Sequence, residues 1–263
     1  MKSNSPARKS FLQSAILTLL LAVSSVSADV ITQTVSQATA NAAGWAAAVW
    51  GPTPSVAAPG NDYLVPSGMT LRTPNNSTPA AFAGDHLIMS GGILAIKHSS
   101  NAANANIIFN SGTLGHYGGV GSTGVPPSPF SGTLEINGTL NYNATATGTP
   151  QPRHLSLLST LTGAGNFIIG GCYTSSVYLA CSGAAYTGNW TNNGGRLEII
   201  GGTVPLGSGI VHLSYPTNTL TINVGTDMVF TNRVTGDGTL VKLNTNTLTF
   251  AGGNLEMGGL NVN

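Results

Sequence analysis

Gly91-Gly92-Ile93-Leu94-Ala95-Ile96 reads as a short strand introduced by glycine, and its form recurs along the chain. Gly132-Thr133-Leu134-Glu135-Ile136, Gly194-Gly195-Arg196-Leu197-Glu198-Ile199 and Gly252-Gly253-Asn254-Leu255-Glu256-Met257 share it: glycine, one or two small or polar residues, an aliphatic, then an alternating apolar position. An aliphatic returns at Leu71, Leu94, Leu114, Leu134, Leu155, Val177, Leu197, Leu220, Leu240 and Leu260, at steps of 20 to 23 residues. Short alternating runs bounded by glycine are half-buried strands. A fixed period of this length, carrying such strands, marks a stacked solenoid rather than a closed globule. The expected fold is all-β: a parallel β-helix (β-solenoid) of about 20–23 residues per rung with an N-terminal cap. Ten rungs at a spacing of about 4.8 Å would make one rod on the order of 45 Å long.

Composition points the same way. The 263 residues include 35 Gly, and only 6% are charged against 41% hydrophobic. Surface helices need Glu, Lys and Arg on their wet face, which this chain cannot supply, whereas Thr, Ser and Asn serve that face in strands and turns. So high an apolar fraction also argues against wholesale disorder.

The first 28 residues read as a signal peptide. Lys2, Arg8 and Lys9 precede an apolar core over 11–23, and Val26-Ser27-Ala28 offers a small-residue cleavage site before Asp29. The expected location is therefore exported: extracellular or at the cell surface, with the periplasm as an alternative. Cleavage would leave six Lys and Arg against eight Asp and Glu, a balance of −2 that gives no footprint for nucleic acid. Past Ala28 no apolar run reaches the roughly 20 residues that span a bilayer, so no transmembrane span is expected in the mature chain. Five N-x-Ser/Thr sequons, at Asn75, Asn76, Asn137, Asn143 and Asn189, are what so much Asn and Thr produces by chance.

Residues 29–60 differ from the rest. The alanine-rich run 39–50 carries Trp45 and Trp50 and ends at Gly51-Pro52, as suits a segment that covers the open end of a solenoid core. Residues 61–263 are assigned to the β-helix, with 115–129 and 144–153 as Gly-, Pro- and Thr-rich loops thrown out between strands. Cys172 and Cys181 are the only cysteines. In an exported chain a disulfide that pins a local excursion is the expectation, with two free buried thiols as the alternative.

Two stretches carry a family resemblance. Leu161-Thr162-Gly163-Ala164-Gly165-Asn166-Phe167-Ile168-Ile169-Gly170-Gly171 resembles Val234-Thr235-Gly236-Asp237-Gly238-Thr239-Leu240-Val241-Lys242. The run 182–191, holding Tyr186-Thr187-Gly188, leads into Gly195-Arg196-Leu197 and Leu206-Gly207-Ser208-Gly209. Together they are similar to the autotransporter-associated β-strand repeat of bacterial passenger proteins, over about 160–263. The resemblance implies a right-handed parallel β-helix, exported and part of a surface structure, and it carries over no catalytic residue. The chain departs from the pattern at Ile169, where the repeat often has Lys, and after Asn254. It also shows no C-terminal translocator barrel and ends partway through what reads as a rung, which suggests a fragment of a larger surface protein or an unusual terminal cap.

Catalytic chemistry finds little to work with. A glycosidase needs two carboxylates about 5–9 Å apart; the acids are Asp29, Asp62, Asp85, Glu135, Glu198, Asp227, Asp237 and Glu256. Glu135 and Glu198 both follow a periodic aliphatic, three rungs apart, which predicts about 14 Å between them. Asp85 and His86 are neighbours on a strand and should point oppositely, while Arg196 and Glu198 read as a surface ion pair of small energetic value. His86, His98, His116, His154 and His212 show no metal spacing. No catalytic residue, cofactor or metal ligand is therefore assigned. The leading expectation is a non-enzymatic exported β-helix acting as a cell-surface scaffold or adhesin-like module, with a surface glycan or protein as ligand. The alternatives are a polysaccharide-active enzyme or carbohydrate-binding β-helix, with Trp45, Trp50, Tyr186 and Trp190 as a sugar-stacking platform, and a fragment whose functional region lies elsewhere.

Overall fold

A computed structural model describes residues 28–37, 43–75, 80–98, 102–116, 128–144, 153–171, 175–251 and 255–262. The chain winds into a parallel β-solenoid. Each full turn lays down strands in three ladders, and neighbouring rungs bond through the backbone as in any parallel sheet. The first ladder stacks Asp29–Gln33, Asn61–Pro66, the opening of His86–Ile96, the middle of Ala103–His116, residues 133–136, Thr160–Gly163 and Ser182–Tyr186. The second runs from Thr70–Arg72 through Asn166–Gly170, Trp190–Asn192 and Val211–Leu213 to the opening of Leu255–Val262. The third holds Ala80–Ala81, His154–Leu157, Ser176–Leu179, Arg196–Ile199, Thr219–Ile222 and the end of Val234–Lys242. Met228–Phe230 and Leu248–Phe250 form a separate pair.

In most strands alternation turns every second residue into the core. The inward column of the third ladder is Leu155, Val177, Leu197, Leu220 and Leu240, all fully buried and stacked on one another. Burying each side chain of this size is worth roughly 1.5–3 kcal/mol. The evenly spaced aliphatics of the sequence are not, however, one column. Leu71, Leu94 and Leu114 belong to the second ladder, where the next member is Tyr142, 28 residues on, and then Ile169. Leu134 stacks instead on Ile107 and Leu161 in the first ladder. Insertion makes two turns long, and the regular step survives only by crossing from ladder to ladder.

The two stretches that carry the repeat resemblance also lie on different ladders. Residues 161–163 pair in the first, whereas 234–236 pair in the second. What they share is a corner device. Gly163 and Gly236 each close a strand at φ +93° and +102°, a left-handed conformation that side chains rarely adopt.

At the N-terminal end, Asp29–Gln33 pairs in parallel with Asn61–Pro66, and Trp50–Gly51 crosses it antiparallel. Trp45 and Trp50 pack edge-on against Tyr63 and Phe82 at ring separations of 4.8 to 6.2 Å. Tyr186 and Trp190 are fully buried too, with Trp190 stacked on Phe167 at 4.6 Å. These four aromatics are core, so they form no sugar platform. Among the described residues, no helix is long and apolar enough to cross a membrane.

Cys181 is a free, buried thiol that donates to the Pro205 carbonyl at 3.4 Å, and burial pushes its pKa up to about 12. Cys172, its expected partner, lies outside the described residues. An aromatic disulfide reagent at pH 8 is expected to leave Cys181 unmodified in the folded chain, because the attacking species is the thiolate. Native-state labelling at the rate of a free thiol would contradict that burial.

Candidate functional site

The second and third ladders meet at one corner of the solenoid. The described residues on either side of 76–79, 99–101, 117–127, 145–152 and 172–174 belong in each case to the second ladder before and the third ladder after, and these segments themselves lie outside the described residues. Both sequence-expected loops, 115–129 and 144–153, are rooted here, and their central residues lie outside the described ones. Further along, the same corner is closed tightly. Asn192 faces inward, fully buried, between Ile169 and Leu213 of the neighbouring rungs; its side chain accepts from the Gly194 N–H at 3.1 Å and donates to the Gly195 carbonyl at 3.1 Å.

Polar side chains gather at the strand ends that flank these segments. The Lys97 N–H donates to Thr73 Oγ1 at 2.8 Å, and Thr73 Oγ1 lies 3.0 Å from His98 Nδ1. His98 Nε2 stands 3.1 Å from the Pro129 carbonyl. A carbonyl only accepts, so Nε2 carries the proton and Nδ1 accepts from Thr73. Ser128 donates to the His98 carbonyl at 3.0 Å and therefore accepts from His116 Nε2 at 3.0 Å. His116 precedes the segment 117–127 and Ser128 follows it, so this bond clasps its base. Tyr142 donates to the Arg153 carbonyl at 3.2 Å, and the Arg153 N–H donates to Ser175 Oγ at 3.1 Å, which fixes the return of 145–152.

Burial holds both histidines neutral. His98 is pushed down to about 4, and His116 to about 3, where Arg153, His98, His154 and Lys97 add to the effect of desolvation. Lys97 is lowered by its own burial and by Arg72 and Arg153. Cations of successive rungs thus sit close enough to repel one another. The bond direction at Ser128 is the reverse of an activated nucleophile: its proton goes to a carbonyl, and the histidine donates to its oxygen. The arrangement fastens chain; it is not set up to attack a substrate.

The acids fall on all three ladders, with Asp29, Asp62 and Asp85 on neighbouring rungs of the first. Glu135, on the first ladder, accepts from Asn137 at 2.7 Å, and Glu198 is on the third, so the expected three-rung separation on a common face does not apply. Asp85 accepts from the Gly60 N–H at 2.9 Å, while His86 pairs with Asp62 of the preceding rung at 2.8 Å. Asp227 accepts from the Thr247 N–H, and Glu256 pairs with Arg233. Arg196 and Glu198 do form an ion pair, at 2.9 Å, yet the Glu198 side chain is only 4% exposed. It is not the surface pair that the sequence suggests. Among the described residues no three His, Cys, Asp or Glu side chains converge as a metal site.

Sequence reasoning missed Thr73, His98, His116, Ser128 and Arg153 as a group. Their one common signal is position: each directly flanks or closely precedes a Gly-, Pro- or Asn-rich stretch at the end of a strand. Comparison with known proteins gives no family: no family model, no curated protein and no solved structure matches the chain.

Proposed function

We propose that the chain is an exported, non-enzymatic β-helix that serves as a cell-surface scaffold or adhesin-like passenger module. The observation that carries this reading is the set of buried polar bonds, His116 to Ser128 and Tyr142 to Arg153 to Ser175, that ties second-ladder strand ends to the third ladder on either side of 117–127 and 145–152. A rod whose strand ends are fastened in this way at one corner suits presentation of the segments between them. The resemblance of 160–263 to the autotransporter-associated repeat supports a passenger role, through the corner glycines rather than through a repeat in register.

Deleting 117–127 and 145–152 together, each replaced by a Gly-Asn turn, is expected to abolish attachment of an expressing cell while leaving the melting temperature of the purified rod within a few degrees. Unchanged attachment by the doubly deleted chain would remove the adhesive reading. Protease treatment of intact cells should release fragments of the chain; complete protection of it would contradict surface display.

A further inference from the structure

The last described rung, Leu248–Phe250 followed by Leu255–Val262, brings the core of the solenoid to its surface. Leu255 lies in register on Val234 and Leu260 on Leu240, residues that are fully buried one rung above. Leu240 is 0% exposed, whereas Leu260 and Val262 are 56% and 69% exposed, and Phe250, packed on Phe230, opens to solvent as well. Along the backbone Leu255–Val262 bonds to Val234–Lys242, and among the described residues its other edge has no partner strand. An open strand edge with apolar side chains behind it is a template for a further strand. The opposite end of the solenoid is closed: Trp50–Gly51 crosses Asp29–Gln33, and Trp45 and Trp50 fill the core there. A head-to-tail stack of copies is therefore blocked by that cap.

The sequence of the open edge shows what fits it. Leu255-Glu256-Met257-Gly258-Gly259-Leu260-Asn261-Val262 runs apolar, polar, apolar, Gly, Gly, apolar, polar, apolar, and the pattern is the same read backwards. An antiparallel neighbour meets a strand reversed. A second copy of this strand thus places Leu255 against Val262, Met257 against Leu260 and Glu256 against Asn261, with all the apolar side chains on the core side. The fold permits that match. Residues 255–257 continue the second ladder and 259–262 the third, so the change of face falls at the paired glycines. A two-fold axis through this corner exchanges the two faces and reverses the strand, as a closed isologous contact requires.

We propose that this rung is an interface between two copies of the chain, joined end to end about a two-fold axis through the corner between the second and third ladders. Each copy hydrogen-bonds the open edge of the other and covers its Leu255, Met257, Leu260 and Val262. The strand ends that flank 117–127 and 145–152 lie at the same corner, so the two copies bring these corners into line along one edge of a rod twice as long. This goes beyond the presentation role, and the association is measured without reference to attachment.

Sedimentation equilibrium of the purified chain is the test, with a reversible monomer–dimer equilibrium and no larger species as the expected result. Leu260→Lys puts a charge at an exposed position opposite the partner's Met257 and should leave a monomer of unchanged circular dichroism. Asn261 reports the register, because it is exposed and stands opposite Glu256 twice in the dimer. Asn261→Lys should tighten the dimer about fivefold and Asn261→Glu loosen it about fivefold. A chain that stays monomeric at every concentration overturns the proposal, and so do species larger than the dimer. Dimerisation of Leu260→Lys at full strength overturns the site, and shifts of the same sign from both Asn261 variants overturn the two-fold register. The chain lacking 117–127 and 145–152 should dimerise like the full chain, so the adhesive reading and this one fail separately.

Discussion

Lowering the pH from 7 to 5 is expected to remove about 4 kcal/mol of folding stability through two side chains, His98 and His116, each contributing about 2 kcal/mol. The sign follows from burial. In the unfolded chain both titrate near 6.5, and in the folded one near 4 and 3, so the unfolded state binds protons first. Their stabilising effect is fully present above 6.5 and is lost as the pH falls toward 4. Protonating His116 places a charge at Nδ1, which has no hydrogen-bond partner, among Arg153, His154 and Lys97. Protonating His98 puts a second donor on Nδ1, against the Thr73 hydroxyl that donates to it. Urea unfolding followed by tryptophan fluorescence at pH 5, 6 and 7 reads the effect. His116→Gln places an amide N–H where Nε2 stands and cannot titrate, so it should lower stability at pH 7 modestly and halve the loss between 7 and 5. A stability independent of pH across that window would show that the clasp is not buried as described.

Gly188→Ala is expected to destabilise the rod by about 3 kcal/mol or more. Where the first ladder turns into the second, Gly138, Gly165, Gly188 and Gly209 come one above another, and a Cβ on each would fall within contact distance of a backbone carbonyl one rung below: Asn110, Gly138, Gly165 and Gly188 in turn. The column is closed by Asn232, which donates to the Gly207 and Gly209 carbonyls at 3.1 and 2.9 Å. None of these glycines needs a left-handed backbone; proximity alone excludes a side chain. Gly225 provides the control, since a Cβ there meets nothing within 4 Å. Gly225→Ala should be neutral or stabilise by about 0.5 kcal/mol, by restricting the unfolded chain. Equal effects of the two substitutions, in denaturant midpoints measured side by side, would contradict the close stacking at this corner.

Strand positions were readable because a half-buried strand writes its alternation directly into the sequence. Leu197 and Leu220 were found by pattern, and they stack as expected. Lateral register was harder, because a residue's neighbour lies one whole turn away and turns differ in length. From Leu94 to Leu114 the step is 20, but from Leu114 to Tyr142 it is 28, and nothing local to Leu114 signals the change. Every polar contact between rungs inherits that uncertainty. Asp62 and His86 meet across a step of 24, and His98 reaches Pro129 across 31. Trp190 misled for another reason. A tryptophan's chemistry suits a sugar face as well as a core, and only its register with Phe167 and Val211 shows that it points inward.

The roots of the inserts also determine how the rod would bear a load. A pull on 117–127 or 145–152 enters the solenoid through strands that run across its axis, Ala103–His116, Pro129–Asn143 and His154–Leu157. Force along a strand shears its ladder, so all the backbone bonds on both edges resist together, whereas force along the axis would open rungs in succession. The anchoring strands are among the longest in the chain, 14 and 15 residues for the first two. Tension that enters at these strand ends is thereby spread over the longest ladders of the solenoid.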